Sequence, residues 1–238
     1  QNKSSNDGGC IFSSGLNSGD YLKTHTSGAE NSGSDFSFTD TGYEISGTPS
    51  YCNGTGYRYS AVSFKCAENF FDVVTFSGSS SNQTIAHNLG SVPGAIFVKR
   101  YNGGGHWCGY HRSISNTWMV KLNETGKYSD ADDNWNSTTA TATHFTVKGN
   151  VSESNGPGGN YIAYLFAHDA GGFGEGGDAS IIKCGKYTGN GNNTTGYGKF
   201  IDLGWEPQWV LIKNVSTNFV NWVLVHDGLV VRSGADSV

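Results

Sequence analysis

The sequence predicts an all-β protein, and three observations indicate this fold class. Glycine supplies 35 of the 238 residues while charged residues make up only 15%, so the chain is rich in turn formers and poor in helix formers. The hydrophobic fraction of 36% and the aromatic fraction of 13% are too high for a disordered chain. Short apolar or alternating runs recur between clusters of Gly, Asn and Ser, which is the pattern of strands separated by turns. We therefore expect antiparallel sheets and no long helix.

A long internal repeat organises these strands. Three segments from the middle of the chain return in the same order roughly 110 residues later, a period that suits one small β-sandwich per repeat. The pairs are residues 71–78 with 182–189, residues 89–99 with 203–213, and residues 107–111 with 222–226. Upstream, residues 59–64 match residues 161–166, and Leu16 and Asn17 match Leu122 and Asn123. The sequence thus predicts tandem antiparallel β-sandwich repeats of jelly-roll-like type.

The repeat predicts one whole unit flanked by two half units. Residues 1–70 are the back half of a first sandwich repeat, residues 71–177 a complete repeat, and residues 178–238 the front half of a further repeat. Each half holds apolar strands that cannot complete a sandwich alone. We therefore expect the halves to pair with each other or with the equivalent halves of neighbouring copies.

Several strands can be placed individually. Residues 95–99 and 209–213 are continuous apolar runs that follow a Leu-Gly-x-x-Pro turn, which is typical of inner strands. The glycine of this turn tolerates a positive φ, and the proline fixes the entry into the strand. Alternating runs predict half-buried strands at residues 118–122, 144–147, 161–166 and 221–226.

The repeat also predicts which side chains are buried. We expect the aromatic and aliphatic residues that recur to occupy equivalent core positions in each unit. The expected pairs are Trp107 with Trp222, Leu89 with Leu203, and Phe64 with Phe166.

Charge and cysteine content exclude several classes of partner. The net charge of −5 comes without a basic stripe, which argues against nucleic acid and anionic membranes as partners. No apolar run is long enough to span a bilayer, and no charged-then-apolar signal segment follows Gln1. The five cysteines lack the spacing of a zinc or redox motif, so we expect small apolar residues in strands and no cofactor, with a Cys52–Cys66 disulfide as an open alternative.

Candidate ligand residues are few. Trp135 and Tyr197 are aromatic residues in predicted loops, where they could stack on a sugar ring or anchor the loop. Asp130, Asp132 and Asn134 have the oxygen spacing at which a calcium loop begins. The rest of the calcium pattern fails, because Trp135 stands where glycine would make the sharp turn and no Glu closes the loop, so a solvated acidic turn without metal is favoured.

A Trp–His pair occurs in both copies of the repeat. Trp107 and His111 recur as Trp222 and His226, and alternation along a strand places each Trp on the same face as its His. No nucleophile with an orienting carboxylate recurs beside them, as a hydrolase would require. The pair is therefore interpreted as structural, with a packed ring and a hydrogen-bonded imidazole.

The longest repeat motifs resemble a known but uncharacterised domain. Residues 84–99, residues 107–112, residues 161–167 and residues 172–174 are similar to a repeat domain of structural proteins from marine and freshwater bacteriophages. In those phages the domain occurs near the ends of long tail-fibre or virion-appendage polypeptides. The resemblance extends over nearly the whole chain and carries no established catalytic or ligand residues.

The resemblance implies a place on the virion surface or outside the cell. We expect a non-enzymatic virion structural protein, a tail fibre, appendage or capsid decoration, whose partners are other virion subunits or copies of itself. Two alternatives are a carbohydrate-binding adhesin module that recognises a host surface glycan and a cellular extracellular fibril or surface-layer repeat protein. Neither composition nor motif spacing separates these three functions.

Overall fold

The computed structural model describes residues 9–127, 133–192, 194 and 198–226, and these residues are all-β. The strands in this part of the chain are β1 Cys10–Phe12, β2 Tyr21–Lys23, β3 Phe36–Thr39, β4 Gly42–Ile45, β5 Phe71–Ser77, β6 Gln83–Ala86, β7 Ala95–Arg100, β8 Cys108–His111, β9 Val120–Lys121, β10 His144–Val147, β11 Asn160–Phe166, β12 Trp209–Ile212 and β13 Val223–His226. The described segments contain no α-helix, and hence none that could cross a membrane.

A five-stranded antiparallel sheet forms the centre of the molecule, with the order β5-β11-β7-β8-β9. Strand β11 lies between β5 and β7, so Ile162 is opposite Thr75 on one side and Lys99 on the other. Both faces of β11 are buried, as expected for a central strand covered on two sides. This explains why residues 161–166 read as an almost continuous apolar run.

One face of the central sheet packs against the two-stranded sheet of β6 and β10. Ile96 and Leu165 from the large sheet meet Ile85 and Phe145 from the small one in a single apolar core. Trp135, from the loop before β10, fills the same core and is only 1% exposed. Two sheets around one core give this region a sandwich-like architecture.

The opposite face of the central sheet is covered by other parts of the chain. Leu22 of β2 is fully buried there with Trp107 and Ile162. The partly buried Ile11 and Leu16 pack against the same cluster. Residues from the N-terminal segment thus complete a core that the central sheet cannot close alone.

The terminal segments form small separate hairpins, β1–β2, β3–β4 and β12–β13. Here the predicted matching burial is only partly correct. Trp107 and Leu89 are buried, but Trp222 and Leu203 are half-buried, and Phe64 is exposed where Phe166 is half-buried. Trp222, Leu203 and Phe64 lie outside the central sheet and lack the layers that cover it, which accounts for their greater exposure.

Residues 182–188, which the repeat aligns with β5, do not form a strand. In the described structure these residues belong to no ladder, and they are fixed instead by single contacts such as Asp169 N–H to the Ile182 carbonyl at 2.9 Å. Strand β5 is held by β11 along its whole length. Residues 182–188 have no such neighbouring strand, so an equal local sequence is insufficient to make them a strand.

Candidate functional site

Four hairpins of the molecule form two matching pairs, and within each pair the two hairpins have the same strand register. In β1–β2, Cys10 is opposite Lys23, and in β8–β9, Cys108 is opposite Lys121. The backbone bonds outside the strands match as well, since Thr24 N–H donates to the Gly9 carbonyl and Leu122 N–H to the Trp107 carbonyl. Residues 9–28 and residues 107–126 therefore have the same local structure.

This register corrects one detail of the sequence alignment. Leu16 N–H bonds to the Ser13 carbonyl just as Ile114 N–H bonds to the His111 carbonyl. Leu16 thus corresponds to Ile114, and not to Leu122 as the shared Leu-Asn dipeptide suggested. A two-residue identity is too short to fix an alignment in a chain rich in Asn.

The second pair of matching hairpins is β7–β8 and β12–β13. Ala95 is opposite His111 in the former, and Trp209 is opposite His226 in the latter. These are the positions that the sequence repeat pairs with each other. The turn before each hairpin also matches, because Gly90 and Gly204 adopt positive φ values of 73° and 77°.

Residues 99–107 dock onto residues 21–28, and we call this contact the first interface. The indole Nε1 of Trp107 donates to the Lys23 carbonyl at 3.0 Å. The Nζ of Lys99 donates to the Ser27 carbonyl at 3.5 Å, and the same carbonyl accepts from Gly105 N–H at 2.8 Å. One indole, one ammonium and one amide thus bind two backbone carbonyls.

Residues 213–222 dock onto residues 119–126 with the same bonds, and we call this the second interface. Trp222 Nε1 donates to the Lys121 carbonyl at 2.9 Å. Lys213 Nζ and Val220 N–H both donate to the Thr125 carbonyl, each at 3.1 Å. Each donor and each acceptor occupies the position equivalent to its counterpart in the first interface.

The chemistry of these interfaces explains how they tolerate sequence change. All the acceptors are backbone carbonyls, which every residue provides, so Ser27 can be replaced by threonine at position 125 without loss of the bond. The donors, in contrast, need a side-chain N–H of the right length, and both interfaces use Trp and Lys. Lys99 is fully buried, and desolvation lowers its pKa to about 8.

Apolar contacts accompany the hydrogen bonds. The Trp107 ring stacks on Tyr164 with centroids 5.9 Å apart, inside the core that Leu22 completes. The Trp222 ring meets Phe97 edge-on at 6.1 Å. The two interfaces therefore combine directional bonds with burial of large rings, which fixes the angle between the segments that they join.

A pair of hydrogen bonds made by a tyrosine hydroxyl also occurs at equivalent positions in both copies of the repeat. The Tyr161 hydroxyl donates to the Ser152 carbonyl at 2.7 Å and accepts from Gly156 N–H at 2.8 Å. The Tyr59 hydroxyl makes the same two bonds, to the Ser50 carbonyl at 2.6 Å and from Gly54 N–H at 2.8 Å. We call this arrangement the tyrosine latch. It ties the start of each apolar run at residues 59–64 and 161–166 to the loop before it.

Trp135 does not have the exposure that sugar stacking requires. Its ring is buried in the sandwich core and contacts Tyr110 edge-on with centroids 5.5 Å apart. The interpretation as an exposed binding platform is therefore wrong for Trp135, which anchors its loop. The other aromatic candidate, Tyr197, lies outside the described residues.

The calcium-like sequence is described only at Asn134, because Asp130 and Asp132 lie outside the described residues. The Asn134 side chain is buried, and its Oδ1 accepts from Ser154 Oγ at 2.9 Å. This oxygen serves an internal hydrogen bond and does not face an open loop. In the described segments no three His, Cys, Asp or Glu residues are grouped so that they could hold a metal ion.

His111 makes the hydrogen bond expected of a structural residue. Its Nδ1 accepts from Ser113 N–H at 3.2 Å, and burial together with the nearby His168 lowers its pKa. His226 lies in β13 opposite Trp209, but its side chain is outside the described part of the structure. The repeated Trp and His therefore occupy equivalent positions, with the Trp providing the interface contact.

A shallow groove of about 450 Å³ opens beside the second interface. Asn123, Glu124 and Asn218 line it, together with Phe219, whose side chain is 90% exposed. The corresponding positions beside the first interface hold His25, Thr26, Gly103 and Gly104, so the groove residues differ from those at the first interface. Sequence analysis did not identify these residues, because they lie far apart in the chain.

Sequence analysis also missed the roles of Lys99 and Lys213. Both end an apolar run at equivalent repeat positions, a place where a buried charge is unexpected. A lysine retained at the same place in both copies was the available signal. The tyrosine latch was signalled in the same way, by Tyr59 and Tyr161.

Comparison with known proteins gives a family but no function. A family model described as a domain of unknown function (DUF7483) matches residues 13–233. No curated protein matches the chain, and no solved structure matches it. The match extends across both interfaces and both tyrosine latches. The chain therefore belongs to the DUF7483 family.

Proposed function

We propose that this protein is a non-enzymatic structural component of an extended assembly, built from tandem β-sandwich repeats of jelly-roll-like type. The observation that supports it is the recurrence of the interface: the bonds made by Trp107 and Lys99 are repeated by Trp222 and Lys213. Contacts that recur at equivalent positions are what successive units of an array require.

The interface has the properties of a contact that can be repeated from one unit to the next. In the first interface the segment around β7 and β8 supplies the donors, and β2 with the residues after it supplies the carbonyls. In the second interface the segment around β12 and β13 supplies the donors, and β9 with the residues after it supplies the carbonyls. Such a contact is heterologous, because the two surfaces differ, and a heterologous contact that does not close on itself produces a fibre or a shell. Its directional bonds and packed rings set a fixed angle between units, as a stiff appendage needs.

We further propose that the assembly belongs to a virion, as a tail fibre, an appendage or a capsid decoration. The support is the resemblance of residues 84–99 and residues 161–167 to repeat domains of phage structural proteins. On this proposal the partners are other virion subunits or copies of the chain, and the protein acts in assembly and host attachment at the virion surface. The ammonium groups of Lys99 and Lys213 donate hydrogen bonds to backbone carbonyls of the same chain. These bonds hold segments of the chain together, which suits a mechanical role.

Immunogold electron microscopy tests this function. Antibodies raised against the whole chain are applied to virions purified from the source of the sequence, with pre-immune serum as the control. We expect gold particles at regular positions on a fibre, appendage or capsid surface. Labelling of cell surfaces with none on virions would overturn the virion assignment and favour the cellular fibril alternative.

Carbohydrate binding is a second candidate, and the groove at the second interface favours it. An exposed aromatic ring beside amide and carboxylate side chains is a common arrangement for holding a sugar, and Phe219 with Asn218 and Glu124 provides it. A glycan array probed with the wild type and with Phe219→Ala tests this function. Phe200→Ala is the matched control, because Phe200 is 82% exposed and lies outside the groove. Saturable binding lost only in Phe219→Ala supports an adhesin, and absence of binding eliminates the groove as a glycan site.

A further inference from the structure

The residues just after β11 hold the segment that begins the last predicted repeat. Asp169 N–H donates to the Ile182 carbonyl at 2.9 Å, and Cys184 N–H donates to the imidazole Nδ1 of His168 at 3.0 Å. The sequence repeat assigns residues 178–238 to a further unit, so these bonds attach the start of one unit to the end of another. We call this contact the later junction.

The same contact occurs one repeat earlier, and we call it the earlier junction. Ala67 N–H donates to the Phe71 carbonyl at 3.0 Å, at the positions that the repeat aligns with the corresponding bond of the later junction. Val73 N–H donates to the side chain of Cys66, which the repeat aligns with His168. The two junctions therefore share their backbone bonds and differ in the side chain that accepts the last N–H, a thiol in one and an imidazole in the other.

This difference makes only the later junction sensitive to weak acid. A histidine nitrogen accepts a hydrogen bond only while it carries no proton, and the imidazolium ion has two donors and no acceptor. Protonation of His168 at Nδ1 would therefore set one N–H donor against another, the amide of Cys184. The Cys66 thiol keeps its proton in weak acid, because burial raises its pKa above 9.0.

The charges around His168 also oppose its protonation. The titratable and charged groups that face it are His111 at the end of β8, Arg112, Asp169, Lys183 and Cys184. The Asp169 carboxylate is exposed and lies 3.4 Å from Lys183 Nζ, so its attraction for an imidazolium is shared with that lysine and screened by solvent. Burial and the positive charge of Arg112 lower the pKa of His168 from 6.5.

We propose that the hydrogen bond between His168 and Cys184 is an acid-sensitive attachment, which opens when His168 is protonated and releases the start of the last predicted repeat. The direction follows from proton linkage, because the released segment leaves the imidazole in water, where it binds a proton more readily than in the closed junction. Acid therefore favours release below about pH 6.5, while the earlier junction stays closed. This regulation rests on the proposed repeat assembly and gives acid a means of loosening the link between two units.

Hydrogen exchange of the full-length chain at pH 7.0 and pH 5.0 tests the attachment. Peptides that contain Cys184 or Val73 are followed by mass spectrometry, and each rate is compared with the intrinsic rate at the same pH. We expect protection at Cys184 to fall about fivefold or more at pH 5.0, the effect of losing one ordinary hydrogen bond, and protection at Val73 to change by less than about twofold. His168→Asn is the matched variant, because the amide oxygen of asparagine can accept the same bond and takes up no proton in this range. Its protection at Cys184 should be equal at the two pH values.

Three outcomes would overturn the proposal. Equal loss of protection at Cys184 and Val73 would show general unfolding in acid, and unchanged protection at Cys184 would show that the junction does not respond to acid. A loss that persists in His168→Asn would assign the response to another group. The comparison of the two junctions in the wild type needs no variant, so it decides the matter even where asparagine disturbs the fold. Virion labelling without acid release would refute the attachment alone, whereas acid release without virion labelling would refute the virion function alone.

Discussion

Replacement of Lys99 by methionine should change how stability depends on pH. The residue is fully buried, and its ammonium donates to the carbonyls of Arg100 and Ser27, at 2.6 Å and 3.5 Å. Burial lowers its pKa from 10.5 to about 8 in the folded state. A difference of this size corresponds to up to about 3 kcal/mol between the two protonation states.

The direction of the effect follows from proton linkage. Between about pH 8 and pH 10.5 the unfolded chain keeps a proton on Lys99 that the folded chain has lost. The unfolded state then binds more protons, so the contribution of Lys99 to the free energy of unfolding rises with pH across this window. Below pH 8 the lysine is charged in both states, and the desolvation cost is present in full.

Urea unfolding of the wild type and of Lys99→Met, measured from pH 7 to pH 10, gives the free energy of unfolding of each protein as a function of pH. The wild-type free energy of unfolding minus that of the variant should rise by about 2–3 kcal/mol over this range. Lys213→Met is the matched control and should show a smaller rise, because Lys213 is only half-buried. A difference that stays constant with pH would refute the desolvation of Lys99 and its place in the first interface.

Three further predictions concern the latch, the interface rings and one thiol. Tyr161→Phe removes two hydrogen bonds at a buried site and should lower the free energy of unfolding by about 1–3 kcal/mol in urea titrations, and Tyr59→Phe by less, because Tyr59 is half-buried; equal losses would contradict the difference in burial. Trp107→Ala should cost about 3–5 kcal/mol by calorimetry and Trp222→Ala clearly less, and wild-type melting temperatures for both would refute the core assignment. Burial raises the pKa of Cys184 to about 11, so its alkylation, followed by mass spectrometry, should be slow at pH 8 and should rise about tenfold per pH unit toward pH 11; a fast reaction at pH 8 would contradict the burial of this thiol.

The strands were the most predictable part of the fold. Residues 144–147 form β10 as expected, and the apolar runs after the two Leu-Gly-x-x-Pro turns form β7 and β12. Local sequence suffices there because the turn glycine, the proline and the apolar run all favour the same conformation. At residues 182–188 local sequence was insufficient, since a strand also needs a neighbour to complete its hydrogen bonds.

The contacts between distant segments could not be predicted from local patterns. Trp135 looked like an exposed loop residue because it follows two aspartates and an asparagine, but its ring is buried in the apolar core. The acceptors at Lys23 and Lys121 are carbonyls, which leave no mark in the sequence. Only the paired recurrence of Trp and Lys was visible, and the structure gives that recurrence a physical reason.

Cryo-electron microscopy of the assembled particle that carries this chain tests the central proposal most directly. The proposal predicts successive sandwich units related by one constant rotation, each with a Trp indole on a backbone carbonyl of the preceding unit, as at Trp107 and Trp222. Units joined at variable angles, or without the indole-to-carbonyl contact, would contradict it.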